Sequence, residues 1–192
     1  MSEATPFGIY LHIPHCKAKC RYCDFYSAPG ARGVPQSYVD ALLRELAKNT
    51  RRPDTLYFGG GTPALLVPAQ AAALIEAANP LPGAEITLEA NPDVVTPETL
   101  RGFRAAGVTR ISFGVQSLND AELKAIGRVH NAAEALEAIE LAKQAGFKRI
   151  NADVIYGLPG QTMASLKETL TRLCSTGIEH LSVYGLIVEE GT

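Results

Sequence analysis

Short strand-like segments alternate with longer helix-like segments along the whole sequence, and this alternation constrains the fold more than any other feature. The strand-like segments are 7–13, 54–58, 85–89, 110–116, 149–155 and 181–187. The helix-like segments are 36–48, 67–78, 97–106, 119–126 with 132–145, and 162–175. Repeated βα units of this kind form a parallel sheet that helices cover. We therefore predict an α/β fold of six βα units.

Residues that favour helix ends support these boundaries. Thr96 precedes Pro97, a pair typical of a helix N-terminus. Gly107 and Gly146 each follow a helix-like segment and precede a strand-like one. Glycine is preferred just past a helix C-terminus because it adopts the left-handed conformation without steric cost. We expect helices to end at both glycines.

The strand-like segments are apolar on one side only. In the first, Ile9, Leu11 and Ile13 alternate with Tyr10 and His12, and later segments repeat the pattern. Fully covered parallel strands are instead continuously apolar. We therefore predict an open partial (β/α)6 TIM-like barrel, in which the polar side lines a lumen. The lumen either binds a polar ligand or satisfies its own hydrogen bonds. Its expected polar residues are His12, Glu89, Gln116, Asn151 and Asp153.

The composition disfavours nucleic acid and membranes as partners. The chain carries 18 Lys and Arg against 20 Asp and Glu, a net charge of -2, and has no long basic run. No apolar stretch approaches the roughly 20 residues that span a bilayer. The N-terminus has neither the basic region nor the apolar core of a signal peptide. We expect a cytoplasmic protein without a membrane span.

Cys16, Cys20 and Cys23 lie in one short segment directly after the first strand. Their C-x3-C-x2-C spacing is poor for a disulfide framework and suits a metal or cluster loop. Three thiolates can bind three corners of a 4Fe-4S cluster and leave the fourth iron open to a chelating substrate. A Cys3His zinc site completed by a nearby histidine, His12 or His15, is the alternative. We expect the isolated fourth cysteine, in segment 162–175, to be a small buried residue.

With this cysteine motif, which places Tyr22 before the third cysteine, the chain resembles the radical SAM superfamily. Four further segments resemble the branch that holds oxygen-independent coproporphyrinogen III oxidase and the HemW haem chaperone. They are 10–14 (YLHIP), 59–63 (GGGTP), 113–117 (FGVQS) and 153–160 (DVIYGLPG). The resemblance implies that the cluster on Cys16, Cys20 and Cys23 binds S-adenosylmethionine (SAM) and cleaves it reductively.

The resemblance also implies which residues contact SAM. They are Tyr10, Tyr22, Gly60, Gly61, Thr62, Glu89, Gln116, Arg128 and Asp153. Glycines allow backbone groups to approach a ligand, the Glu89 carboxylate favours nearby positive charge, and the Arg128 guanidinium can pair with a carboxylate. No catalytic side chain beyond the cluster is implied.

One local feature separates the two functions within the branch. In the oxidase the third cysteine is followed by a Gly-Cys pair, whereas here Cys23 is followed by Asp24, Phe25 and Tyr26, as in the chaperone group. The resemblance thus favours haem delivery, with haem as a further ligand and an electron donor protein as a partner. The alternative is oxidative decarboxylation of a porphyrinogen, so whether the chain is an enzyme stays open. Residues 1–192 are expected to be the radical SAM core, with the family's C-terminal domain absent.

Overall fold

The computed structural model describes residues 5–189 and is built on one parallel six-stranded sheet. The strands are β1 (Gly8–Ile13), β2 (Thr55–Gly60), β3 (Glu85–Ala90), β4 (Arg110–Gln116), β5 (Arg149–Tyr156) and β6 (His180–Gly185). They are hydrogen-bonded in the order of the sequence, and every neighbouring pair is parallel. The predicted open α/β barrel of six units is confirmed.

The helices lie close to their predicted positions. They are α1 (Gln36–Leu46), α2 (Pro68–Ala78), α3 (Pro97–Ala106), α4 (Asp120–Ala125), α5 (Ala132–Gln144) and α6 (Met163–Ser175). Thr96 caps α3 by accepting a hydrogen bond from the Thr99 amide, and Gly107 ends it with φ at 108°. Gly146, at φ 89°, lies just past α5 in the same left-handed region. Both predicted helix ends are therefore confirmed.

Three details differ from the sequence predictions. β6 ends at Gly185 rather than near residue 187, because β5, its partner, ends opposite at Tyr156. Short 3-10 helices, Pro63–Leu65 and Pro92–Val94, follow β2 and β3, where no helix was predicted from the sequence. Cys174 is exposed on α6 and not buried, because the buried positions of that helix are Thr169 and Leu173.

The apolar side of the sheet packs against the helices, as its alternating pattern predicts. Phe58 of β2, Phe113 of β4 and Phe103 of α3 are among the largest fully buried side chains of the core between them. The opposite side is polar, since Ser112 and Asn151 are buried there and hydrogen-bonded to each other. All six strands run in parallel, so their carboxyl ends meet at one end of the barrel, where functional sites of such folds are built. The cysteine segment follows β1 at this end.

No helix among residues 5–189 is long and apolar enough to cross a bilayer.

Candidate metal and cofactor site

A cavity of about 550 Å³ opens at the carboxyl end of the strands. This is the size range of small-molecule sites. Most of the predicted site residues line it: Cys16, Tyr22, Cys20, Cys23, Gly60, Gly61, Glu89, Gln116, Arg128 and Asp153. Residues distant in sequence therefore meet at one place, as the resemblance implies.

The cysteine segment is fixed at the rim of this cavity by backbone hydrogen bonds. The Cys16 amide donates to the Ala28 carbonyl at 3.0 Å, and the Ala31 amide donates to the Cys16 carbonyl at 2.9 Å. An ion pair of 3.1 Å between Lys17 and Asp93 joins the segment to the loop after β3. These contacts hold the segment against the loops after β1 and β3.

Gly61 determines how closely the neighbouring loop approaches the first cysteine. A Cβ atom added to Gly61 would lie 2.9 Å from Cys16 Sγ and 2.7 Å from the His15 carbonyl oxygen. Real Cβ atoms do not approach other atoms so closely, so a side chain here would displace the loop. The glycine at this position of the GGGTP segment therefore allows the close contact.

Two side chains donate hydrogen bonds to cysteine sulfurs. Thr62 Oγ1 donates to Cys16 Sγ at 3.7 Å, and Arg128 Nη1 donates to Cys20 Sγ at 3.4 Å. Burial raises the pKa of the Cys23 thiol, and the nearby sulfurs of Cys20 and Cys16 raise it further. The three thiols therefore lie close enough to feel each other's charge, and cations or metals would stabilise their thiolate forms.

Arg128 is held by several acceptors at once. Its Nη2 donates to Asn91 Oδ1 at 2.7 Å and to the Gly114 carbonyl at 2.6 Å, and lies 3.4 Å from His130 Nδ1. Burial lowers the pKa of Arg128, but the nearby Cys20 sulfur, to which it is hydrogen-bonded, and the Asp93 carboxylate oppose this effect, and the net shift is upward. A fixed positive charge therefore faces the cysteines.

Glu89 and Asp153 place two carboxylates in the same cavity. Glu89 accepts hydrogen bonds from the Tyr57 hydroxyl at 2.7 Å and from the Gly60 amide at 3.1 Å. Asp153 accepts from Asn151 Nδ2 at 2.8 Å. Burial is the largest cause that raises the pKa of both carboxyl groups, and hydrogen bonds oppose it. Bound positive charge would favour their ionised forms.

Gln116 reaches the cavity through an unusual backbone conformation. Its φ is 68°, in the left-handed region that non-glycine residues rarely adopt. The register between β4 and β5 shifts between Gly114 and Gln116, which is the sign of a β-bulge. Bulges near sites re-aim side chains, and the Gln116 side chain is aimed at the cavity here.

Tyr22 forms part of an apolar surface of the cavity. It packs against a small cluster formed by Ile126, Ile155 and Leu158, separate from the main core. Burial raises the pKa of its hydroxyl, so the ring stays neutral. The cavity is therefore charged on one side and apolar on another.

The structure leaves Tyr10 and Thr62 outside the residues that line the cavity. Tyr10 lies on the lumen face of β1, stacked on Tyr57 at 6.0 Å, and its hydroxyl lies 3.1 Å from His12 Nδ1. Thr62 is buried behind Cys16. Each nevertheless contacts a neighbour of the cavity. Tyr10 stacks on Tyr57, which holds Glu89, and Thr62 donates a hydrogen bond to Cys16.

Several residues of the site were not predicted from the sequence. Asn91 and Ser112 line the cavity, and Tyr57 holds Glu89. Ser27 also lines it, and its buried Oγ has no hydrogen-bond partner. Asn91 directly follows β3, and a polar residue at the carboxyl end of a strand is a signal that could have identified it.

The residues present suit an iron-sulfur cluster. The Ser27 hydroxyl, which has no hydrogen-bond partner, lines the same cavity as the three cysteines, and a ligand there would supply the missing acceptor. Among the described residues, no three His, Cys, Asp or Glu side chains are arranged around one metal ion. A tetrahedral zinc site requires that arrangement, whereas a cubane takes each thiolate on a different iron.

An open parallel α/β barrel with three cysteines at the end of its first strand is the arrangement of a radical SAM core. The sequence model of the Radical SAM superfamily matches residues 10–173, and the chain belongs to this superfamily. Members of the superfamily use a 4Fe-4S cluster and SAM.

More particular relatives are HemW proteins. The chain is 38% identical to the heme chaperone HemW of Haemophilus influenzae over 100% of its own length and 54% of the relative's. It is 40% identical to HemW of Escherichia coli K12, with 100% and 53% covered. The solved structure of the E. coli coproporphyrinogen III oxidase HemN, described as a radical SAM enzyme, superposes with a TM-score of 0.84 at 32% identity. That match covers 95% of this chain and 44% of HemN. The chain spans about half the length of these relatives.

Proposed function

We propose that this chain is the radical SAM core of a HemW-like haem chaperone. Cys16, Cys20 and Cys23 would ligate the cluster, and SAM would bind on the open iron. The observation that carries the proposal is the convergence of these three cysteines with Glu89, Arg128 and Asp153 in one cavity. The whole of residues 1–192 would form this core.

The charges of the cavity complement those of SAM, which carries an ammonium, a sulfonium and a carboxylate. The Arg128 guanidinium can pair with the carboxylate through its planar fork. The Glu89 and Asp153 carboxylates would face positive groups, whose presence keeps them ionised. Glycines 60 and 61 would let backbone groups approach the methionine end.

The remaining residues would orient the cofactor and exclude water. Tyr22 and its apolar cluster supply a surface for an adenine ring, and the strained Gln116 is aimed into the same space. Tyr10 and Thr62 would act from just outside the cavity wall. When bound, the reduced cluster supplies the electron that cleaves the sulfonium of SAM. No side chain is assigned a catalytic role beyond this.

Exposed aromatic groups near the cysteines support a tetrapyrrole as the further ligand. Phe25 and Tyr26, two and three residues after Cys23, are 67% and 82% exposed. Tyr184 and Ile187, from the region of β6, are exposed on the opposite side of the cavity. Apolar surface of this kind suits a large planar ring such as haem. An electron donor protein in the cytoplasm would reduce the cluster, and nucleic acid would play no part.

The second candidate is the oxidative decarboxylation of coproporphyrinogen III. It is favoured by the close superposition on HemN. The residues after Cys23, Asp24 and Phe25, depart from the Gly-Cys pair of the oxidase group. The two functions can be distinguished by anaerobic incubation of the reconstituted protein with SAM, dithionite and either coproporphyrinogen III or haem. Decarboxylated porphyrinogen in chromatography supports the oxidase, whereas stable haem binding without it supports the chaperone.

The first test is anaerobic iron-sulfur reconstitution followed by electron paramagnetic resonance (EPR) of the dithionite-reduced protein. A reduced 4Fe-4S signal that changes on addition of SAM is expected. Cys20→Ala should lose the cluster, while Cys174→Ala, which removes an exposed thiol on α6, should retain it. Stoichiometric zinc in place of iron, or four irons in Cys20→Ala, would contradict the ligand assignment.

A further inference from the structure

The hydrogen bonds around the cysteines converge on one amide side chain. Asn91 directly follows β3, and its Oδ1 accepts from Arg128 Nη2 at 2.7 Å. Its Nδ2 donates to Thr62 Oγ1 at 3.1 Å. Arg128 in turn donates to Cys20 Sγ, and Thr62 donates to Cys16 Sγ. One amide therefore links the donors to two different cysteine sulfurs.

The link requires an amide at this position. It must accept from a guanidinium with one atom and donate to a hydroxyl with the other, and a carboxylate or an apolar side chain cannot do both. With its oxygen engaged by the amide, the Thr62 hydroxyl hydrogen is directed toward Cys16 Sγ. The Arg128 guanidinium is likewise held at a fixed distance from Cys20.

The glycine of β4 next to this group leaves the space that the contact needs. A Cβ at Gly114 would lie 3.1 Å from Asn91 Oδ1 and 3.3 Å from Arg128 Nη2. Both distances are tighter than ordinary Cβ contacts, so a side chain here would push the two groups apart. The Gly114 carbonyl also accepts from Arg128 Nη2 at 2.6 Å. The guanidinium is therefore fixed from two sides.

Hydrogen bonds and positive charge at the sulfurs stabilise the more negative, reduced form of an iron-sulfur cluster and raise its reduction potential. We propose that Asn91 is a positioning residue that orients Thr62 and Arg128 toward the thiolates of Cys16 and Cys20 and so raises the reduction potential of the cluster. The potential in question is that of the one-electron reduction of the oxidised cluster. In the test, dithionite supplies the electron. The inference rests on the proposed function, since it requires the cluster.

The test is anaerobic redox titration of the reconstituted, SAM-free protein, followed by EPR. Asn91→Leu should shift the midpoint potential to more negative values and change the g-values of the reduced signal, with bound iron unchanged. Thr62→Val should shift the potential in the same direction. The matched control is Thr169→Val, because Thr169 is as buried as Thr62, at 1% exposure, and bonds to the Leu118 amide away from the cysteines.

A double variant separates positioning from a direct effect. If Asn91 acts partly through Thr62, the added shift from Asn91→Leu should be smaller in the Thr62→Val background. A residue that only contacts SAM would change the affinity for SAM and leave the SAM-free potential unchanged. An unchanged SAM-free potential in Asn91→Leu would overturn the proposal. It would also be overturned if the shifts of Asn91→Leu and Thr62→Val were fully additive in the double variant and the g-values did not change.

Asn91→Ser serves if the leucine variant does not fold, because serine keeps a turn-favouring residue before Pro92 but is too short to join both partners. Loss of iron from both variants, with unchanged circular dichroism, would also overturn the tuning role. If the proposed function itself is wrong, the wild-type chain will form no cluster, and this outcome is distinguishable from failure of the Asn91 proposal.

Discussion

The backbone at Gln116 is in the left-handed conformation, and glycine should therefore be more stable than alanine at this position, the reverse of the usual order. At ordinary sheet positions glycine is the less stable choice by about 0.5–1 kcal/mol, because it loses more freedom on folding. At φ 68° an alanine Cβ costs about 1–2 kcal/mol in steric conflict, and glycine avoids this cost. We therefore expect Gln116→Gly to be more stable than Gln116→Ala by about 0.5–1 kcal/mol. Both variants lose the same polar side chain, so their difference isolates the backbone.

The assay is urea denaturation followed by circular dichroism, with both variants in the same reconstituted, anaerobic state. For a chain of this size about 1 kcal/mol corresponds to roughly 2–4 °C in melting temperature, so thermal scans should resolve the order as well. Ala152→Gly is the control, because Ala152 is fully buried on the neighbouring β5 and has no positive φ. At position 152 alanine should be more stable than glycine, so Ala152→Gly should lower the free energy of unfolding. If Gln116→Ala equals or exceeds Gln116→Gly in stability, the argument from strain is wrong.

Asp153→Ala should weaken SAM binding by about 10–100-fold in calorimetry without loss of iron, since a charged partner is removed; unchanged affinity would remove Asp153 from the site. Glu122 is buried and accepts hydrogen bonds from three side chains, so Glu122→Ala should cost about 2–4 kcal/mol in urea denaturation. The exposed Glu168→Ala on α6 should cost under about 0.5 kcal/mol, and equal losses would contradict this account. Burial, followed by the charge of Arg128, lowers the pKa of His130 to about 4. Its neutral form is therefore favoured in the fold, and roughly 3 kcal/mol of stability present above pH 6.5 should be lost as the pH falls through 4. The stability difference between wild type and His130→Asn should narrow over that range, and a constant difference would refute the assignment.

The cysteine motif predicted a metal-binding segment from the sequence alone because the chemistry of such a segment depends on spacing within one short stretch. The same local reasoning gave the helix ends at Gly107 and Gly146. It failed at Cys174, since a helical cysteine is usually buried and only the packing of α6 decided which face turns inward. Local pattern thus predicts what residues near in sequence can form together.

The second layer of the site could not be predicted in this way. Asn91 and Arg128 meet although they lie 37 residues apart, and Arg128 contacts Cys20 across 108 residues. Nothing in the sequence near Asn91 indicates either partner. The resemblance implies that Arg128 contacts SAM, but the hydrogen bond from Arg128 to the Cys20 sulfur forms only when β3, β4 and the cysteine segment are brought together.

The sequence by itself determined the six parallel strands, the polar lumen and the cysteine segment, because period-two hydrophobicity and short spacings are local properties. Only the tertiary structure decided that Thr62 is buried behind Cys16, that the exposed Tyr10 lies outside the cavity lining, and that Gln116 reaches the cavity through a bulge with φ at 68°. The physical reason is that these placements depend on the register between neighbouring strands. Register is set by packing over the whole sheet and is not encoded at any one residue.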